Sequence, residues 1–425
     1  MCATRFNPTN PGTILMPKYL IGAETVLARR SLLIVSPWLY HPLCGNGGGV
    51  LCFNLIQRLA STYDIHFISF DQTSNDPVGG RRALEAFCSS VTAVPVPAAT
   101  GKITSWLKQI FTGQPREAQG LNSEQMSAQI KALSDRLRPV AVVLQFPQTA
   151  QYMHAAGPVP VVMDVQDACM VSRYREWRKT PPSLKRWGKF ITWLAWARYE
   201  RYWYSRATAL LAISENDQGV LNSFVPDVPC FFSPVATEVA PARTGKTGTY
   251  VAFIGNFAHA PNRDALDWLL KDIWPKVIAH NPQAELRIAG PEIPDYARSE
   301  SHSGVNVVGF VDSLEDFYDN AALALVPYRF GGGVKIKALE AMAFGCALVA
   351  TTVGAEGLKI EPDKHLLVAN DPAGFAAAIN SLLASQQKRS SLAAAAQRHI
   401  AENFSWAAKT AGLINVLQSV RIAAG

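Results

Sequence analysis

Residues 323–345, LALVPYRFGGGVKIKALEAMAFG, decide the fold of this chain. Leu323 to Pro327 is an apolar run that reads as a buried strand, and the stretch ending at Gly345 places Ala, Leu and Met on one helical face. Between them, Gly331-Gly332-Gly333-Val334 forms a turn that opens backbone amides at a helix start, where N–H dipoles favour an anion. Strand, glycine turn and helix in this order make the repeating unit of a doubly wound parallel sheet, and the turn reads as a phosphate cradle. Lys335 and Lys337 fall in the first helical turn, where the dipole disfavours a cation by about 0.3–1 kcal/mol. A bound diphosphate explains their presence. The competing reading is a solvated pair, with Lys337 bridging to Glu340.

Working outward, 425 residues exceed one ordinary core and suggest two domains of about 200 residues each. With 48% hydrophobic and 17% charged residues, the composition is that of a well-packed soluble protein. The formal charge of +7 asks for an acidic partner, phosphate or anionic lipid. Neither zinc-finger spacing, an RNA-recognition signature nor a long basic tail is present, which argues against nucleic acid. Seven cysteines stand singly, without a Cys-x-x-Cys pair, and read as reduced core thiols. The first thirty residues lack the apolar core of a signal peptide, and no apolar run approaches the ~20 residues of a membrane span. The expected location is the cytoplasm, extending to the inner face of the membrane.

Short apolar runs alternate with helical patterns from Ser31 onward. Candidate strands in the first half are Leu32–Ser36, Ile65–Phe70, Val91–Val94, Ala141–Gln145, Val159–Asp164 and Thr208–Ile213. A second series comprises Tyr250–Gly255, Leu286–Gly290, Val305–Val308, Leu323–Pro327, Ala347–Ala350 and Leu366–Val368. Between them a small, polar, turn-forming stretch reads as a linker. The expected plan is an arm (1–30) of unassigned role, a first domain (31–235), the linker (236–248), a second domain (249–404) and a C-terminal helix (405–425) packing back across both, with Ser405 as N-cap. The fold class is α/β, with two doubly wound Rossmann-like domains facing a cleft.

Several motifs stand at the ends of the second series: Phe253-Ile254-Gly255-Asn256 leading to Pro261-Asn262, Leu286-Arg287-Ile288-Ala289-Gly290, Val308-Gly309-Phe310-Val311, the glycine turn, and Gly354-Ala355-Glu356-Gly357-Leu358. In this order and spacing they resemble family 4 of the glycosyltransferases, enzymes of the GT-B fold. The resemblance implies that a nucleotide-diphosphate sugar binds mainly to the second domain. It implies donor contacts at Gly255, Asn256, Asn262, Phe310, Val311, Gly331, Gly332, Gly333, Val334, Lys335 and Glu340, and a catalytic set of Lys335, Lys337 and Glu340. Glu340 matches the second glutamate of the family's motif, which accepts hydrogen bonds from ribose hydroxyls. Gly332 stands where the family's first glutamate contacts the sugar. Asn256 replaces a common arginine, and the competing reading there is a plain turn with Asn262 as N-cap. No Asp-x-Asp pair stands at a strand end, so no metal and no other cofactor is expected; lysines and helix amides take the metal's place.

In the first domain, Gly45-Asn46-Gly47-Gly48-Gly49 follows the first strand and resembles the loop that closes over sugar and phosphate, with Gly48 and Gly49 as contacts. Gln166 stands where many relatives carry histidine, and it cannot shuttle a proton. Asp167 binds acceptor or caps the next helix. The resemblance implies retention, with leaving-group phosphate taking the proton of a hydroxyl acceptor, which relatives often carry on a lipid. Cell-surface polysaccharide or glycolipid assembly is the implied role. The rivals are a GT-B epimerase and a non-catalytic scaffold that binds nucleotide sugars. Between Arg173 and Arg206, ten Lys or Arg stand against two Glu, interleaved with Trp177, Trp187, Trp193, Trp196 and Trp203. That pattern suits an anionic membrane surface or, alternatively, a core helix.

Overall fold

In a computed structural model of the chain, described for residues 29–41, 47–71, 77–98, 101–241, 248–298, 303–331 and 334–424, two parallel sheets are wound with helices on both faces. The first contains β1 (Arg30–Ser36), β2 (Tyr63–Phe70), β3 (Ser90–Val94), β4 (Val142–Gln145), β5 (Val161–Asp164), β6 (Ala209–Ala212) and β7 (Cys230–Phe232), in the order β3-β2-β1-β4-β5-β6-β7. The second contains β8 (Tyr250–Ile254), β9 (Leu286–Ala289), β10 (Val305–Gly309), β11 (Ala321–Val326), β12 (Ala347–Ala350) and β13 (Leu367–Val368), in the order β10-β9-β8-β11-β12-β13. Covered on both faces, the central strands need no polar alternation, and β4, β6, β11 and β12 are buried throughout. The winding direction reverses between β1 and β4, and again between β8 and β11. Loops diverge there and leave a crevice at the carboxyl ends of the strands.

The two sheets share apolar packing. One cluster runs from Leu32 and Ile34 on a face of the first sheet, through Leu413, Val416 and Leu417 of the last helix, to the core of the second domain. That helix, Trp406–Ala424, packs on the helix Gly47–Leu59 of the first domain, where the Arg58 guanidinium lies 4.6 Å from the centroid of Trp406. Ser405 Oγ accepts from the amide of Ala408 at 3.2 Å and so caps it. Lys409 is 3% exposed; its ammonium donates to Ser233 O at 3.1 Å, Ser233 Oγ at 2.9 Å and Pro234 O at 2.6 Å. Burial pushes its pKa down, and only charge-assisted bonds of this kind make an ammonium tolerable there.

A second anchor positions the loop after β5. The helix Cys169–Lys179 begins behind Ala168, which offers no side-chain acceptor. Glu200, from the helix Leu184–Tyr204, supplies one instead: its carboxylate accepts from the amides of Cys169 and Met170, each at 2.9 Å, and from the Tyr204 hydroxyl at 3.3 Å. Negative charge suits a helix start, but full burial dominates and pushes the Glu200 pKa up to about 8.

The helix Leu184–Tyr204 has 21 residues, about 31 Å, while the β6 strand that follows has four, about 13 Å. Its fully buried residues begin only at Ala195. The first half therefore overshoots the carboxyl edge of the sheet and, with Cys169–Lys179, forms a hairpin beside the cleft.

Glu200 keeps in the folded state a proton that the unfolded chain loses near its ordinary pKa of 4.5. Its stabilisation is therefore complete below that pH and is lost as pH rises through about 8. We expect the urea midpoint to fall across this window and Glu200→Gln to flatten the decline. Glu200→Ala should cost about 2–4 kcal/mol by stranding two amides. A midpoint unchanged in both variants contradicts the assignment.

Candidate functional site

The carboxyl ends of β8, β9, β10 and β11 lie at one edge of the second sheet and bring together most of the donor residues expected from sequence. Gly255 and Gly290 touch through backbone: a Cβ on Gly290, at φ +125, would lie 1.8 Å from the Gly255 carbonyl oxygen. No other residue permits that approach, so the loops after β8 and β9 share one wall. Asn256 bends this wall, its side-chain oxygen accepting from the amide of Ala258 at 3.0 Å. Phe310 is exposed after β10, and Val311 packs partly against the core.

Asn262 does not cap its helix. The helix Ala260–Trp268 starts behind His259, and Asn262 is 6% exposed, its amide donating to the Asn256 carbonyl and accepting from the Tyr328 hydroxyl. With one donor and one acceptor of the amide used, it joins the β8 loop to the chain leaving β11. Arg329 adds an ion pair to Asp264 across the same gap, with Nε 2.9 Å from Oδ2.

After β11 the chain passes Gly331, at φ +121, and reaches Val334 and Lys335; Gly332 and Gly333 lie outside the described residues. Val334 rests on Gly357, where a Cβ would meet its Cγ2 at 2.7 Å. Lys335 holds the N-cap position of the helix Ile336–Ala343, its carbonyl accepting from Ala338 at 2.9 Å. Its ammonium lies 3.5 Å from a Glu356 carboxylate oxygen, on a side chain only 9% exposed. Despite that partner its pKa is lowered, chiefly by burial, with Arg175 of the first domain adding repulsion. Burial thus outweighs the attraction of Glu356. The Lys337 ammonium stands 6.0 Å from the ring centroid of Tyr328. Glu340, one turn on, is raised to about 7 by burial, with Lys337 as the opposing attraction. Among the described residues no donor hydrogen-bonds its carboxylate.

On the first-domain side, Gly48 and Gly49 lie in the opening turn of the helix Gly47–Leu59, whereas Gly45 and Asn46 lie outside the described residues. Gln166 and Asp167 follow β5. Gln166 is 6% exposed and sits at φ +55, a conformation costing of order 1–3 kcal/mol in a residue other than glycine. It is held by its amide, which donates to both Asp164 carboxylate oxygens at 2.8 Å. Burial keeps the Asp164 pKa raised, while Gln145, 3.4 Å away, connects it to the Tyr40 hydroxyl at 2.9 Å. Asp167 is exposed and does not cap the next helix, since Glu200 does so; its carboxylate accepts from Ser172 at 3.3 Å.

Sequence reasoning missed several of these groups. Arg175 lies on the helix Cys169–Lys179 close enough to act on both Lys335 and Asp167, so it joins the two sides of the cleft. Trp38 and Phe146, after β1 and β4 at the reversal of winding, pair with ring centroids 4.7 Å apart. Lys359 reaches from the second domain to Glu215 at 2.6 Å, above the ring of Phe232. Only pairing in three dimensions shows these roles; an isolated arginine or tryptophan carries no local signal.

Residues 248–385 match the family model for Glycosyl transferases group 1. An uncharacterized 44.6 kDa protein in the cps region of Klebsiella pneumoniae is 32% identical over 135 residues, covering 30% of this chain and 35% of that protein. The D-inositol 3-phosphate glycosyltransferase of Rhodococcus opacus is 30% identical over 192 residues, 41% of each chain. The matches thus span less than half the length of these relatives. The solved structure of Anabaena HepE in complex with UDP and glucose superposes with a TM-score of 0.59 at 13% identity, covering 92% of this chain and 100% of that one. Residues 248–385 are thus similar to the Glycosyl transferases group 1 family, and the two doubly wound sheets with the HepE superposition show that the chain has the GT-B fold.

Proposed function

We propose that the protein is a retaining glycosyltransferase that moves a sugar from a nucleotide-diphosphate sugar to a hydroxyl acceptor in cell-surface polysaccharide assembly, without a metal. The observation that carries this reading is the position of Lys335, which opens the helix Ile336–Ala343 at the carboxyl edge of the second sheet, directly after the glycine turn and within reach of Arg175 from the first domain. Helix amides, Lys335, Lys337 and Arg175 would supply the positive charge that a departing diphosphate requires. The Glu340 carboxylate has acceptor capacity for ribose hydroxyls. Neither Gln166 nor the buried Asp164 it holds is placed to relay a proton to solvent, which favours proton transfer from the acceptor to the leaving phosphate on the same sugar face. Similarity to a protein from a cps region supports the polysaccharide role, and the UDP and glucose bound by HepE support a nucleotide-sugar donor.

Screening nucleotide sugars by thermal shift should identify a stabilising donor, followed by its slow hydrolysis without acceptor. Lys335→Ala with Lys337→Ala should weaken donor binding at least tenfold, since each charged hydrogen bond is worth about 1.5–3 kcal/mol. A donor that binds and never turns over, with any extract as acceptor, would instead indicate a scaffold. Because the Glu340 pKa stands at about 7 and ribose hydroxyls favour its ionised form, donor affinity should fall about tenfold from pH 8 to 6. Calorimetry on Glu340→Gln should show no such slope; an identical slope in the variant removes Glu340 from the site.

A further inference from the structure

The helix Lys102–Thr112 is inside out. The side chains that face the protein are polar: Ser105 is 6% exposed and donates to Gln119, and Gln109 is 1% exposed, donating to Thr192 and accepting from the amide of Arg116. Beneath them, Gln119, Gln114 and Gln151 continue the hydrogen bonding. Its apolar side chains face outward, with Ile103 77%, Trp106 41%, Leu107 43%, Ile110 41% and Phe111 83% exposed. These five occupy a continuous arc of about 140° at 100° per residue. A helix stabilised only by the fold would turn the other way, because each such side chain gains about 1.5–3 kcal/mol on burial.

The hairpin borders this face through Gln109 and Thr192, and Gly113 meets Arg198. Trp177 and Trp193 stack at 5.4 Å with Phe190 and Tyr174 around them, and Trp196 is fully buried, so most of its aromatic groups support the structure. At the tip, Leu184 is 91% and Trp187 67% exposed. The hairpin's two acids are both engaged: Glu176 with Arg173 and Lys189, each at 3.2 Å, and Glu200 with buried amides. The helix Lys102–Thr112 contains no acid. An outward apolar face beside a hairpin in which ten Lys or Arg outnumber two Glu complements an anionic bilayer, where apolar groups enter the acyl boundary and cations meet headgroups. A second copy of the same face would set cation against cation.

We infer that the apolar face of Lys102–Thr112, with the Leu184–Trp187 tip, docks the protein on an anionic membrane surface. The inference goes beyond the sugar-transfer reading and does not depend on it. Among the described residues no helix is long and apolar enough to cross a membrane, so contact is with one leaflet. Flotation with equimolar phosphatidylglycerol and phosphatidylcholine vesicles should carry the full chain upward, with little recovery on phosphatidylcholine alone. Ile110→Ser with Phe111→Ser should reduce binding at least about tenfold, and Lys108→Glu with Lys185→Glu should remove the preference for anionic lipid. All variants should keep the elution volume and donor hydrolysis of the parent. Equal recovery of parent and variants in the unbound fraction overturns the inference. So does a dimer that the serine variant dissolves while neither protein floats, which would make this face a contact between copies.

Discussion

An ammonium group withdrawn from water holds this molecule together. Lys409 satisfies its donors on three oxygens of the Ser233–Pro234 turn, immediately after the last strand of the first sheet. Its helix belongs in sequence to the second half of the chain. The bond set therefore ties the two sheets at their junction and fixes which edges face one another. Lys359 with Glu215, and Arg175 acting on Lys335, join the two domains as well.

Around the cleft, electrostatic compensation is distributed unevenly. Glu200 closes a helix start in the first domain with a carboxyl group from within the protein. The corresponding start at Ile336 has no acid in its first turn and is flanked by lysines. One helix terminus is finished by a side chain of the fold, and in the proposed sugar-transfer reading the other would be finished by the donor's diphosphate. Strain follows the same division, since Gln166 accepts a left-handed backbone to grip Asp164 at the edge of the same cleft.

The architecture was readable because parallel strands covered on both faces are written as uninterrupted apolar runs. Ala347–Ala350 coincides with β12, and the other predicted strands differ from the observed ones by a few residues. β7 escaped because Cys-Phe-Phe is too short to show a period. The glycine turn was visible as local chemistry, whereas the reading of Asn262 as an N-cap fails because its amide meets Tyr328, a residue 66 positions away, and His259 precedes the helix. The same limit hid Arg175 and the Trp38–Phe146 pair. The inverted helix was missed for another reason: a 3.6-residue period shows that two faces exist, and only tertiary contacts decide which one faces inward.

The helix Cys169–Lys179 also acts as a ruler. It starts at the Gln166–Asp167 loop and ends among the aromatic rings around Trp177, 11 residues or about 16 Å further on. If the proposed membrane docking and sugar transfer both hold, that fixed span would set how far the reactive hydroxyl of a bilayer-anchored acceptor must stand above the surface to meet the donor. Acceptors with a shorter polar stem would be excluded by height alone, before any side chain reads their chemistry.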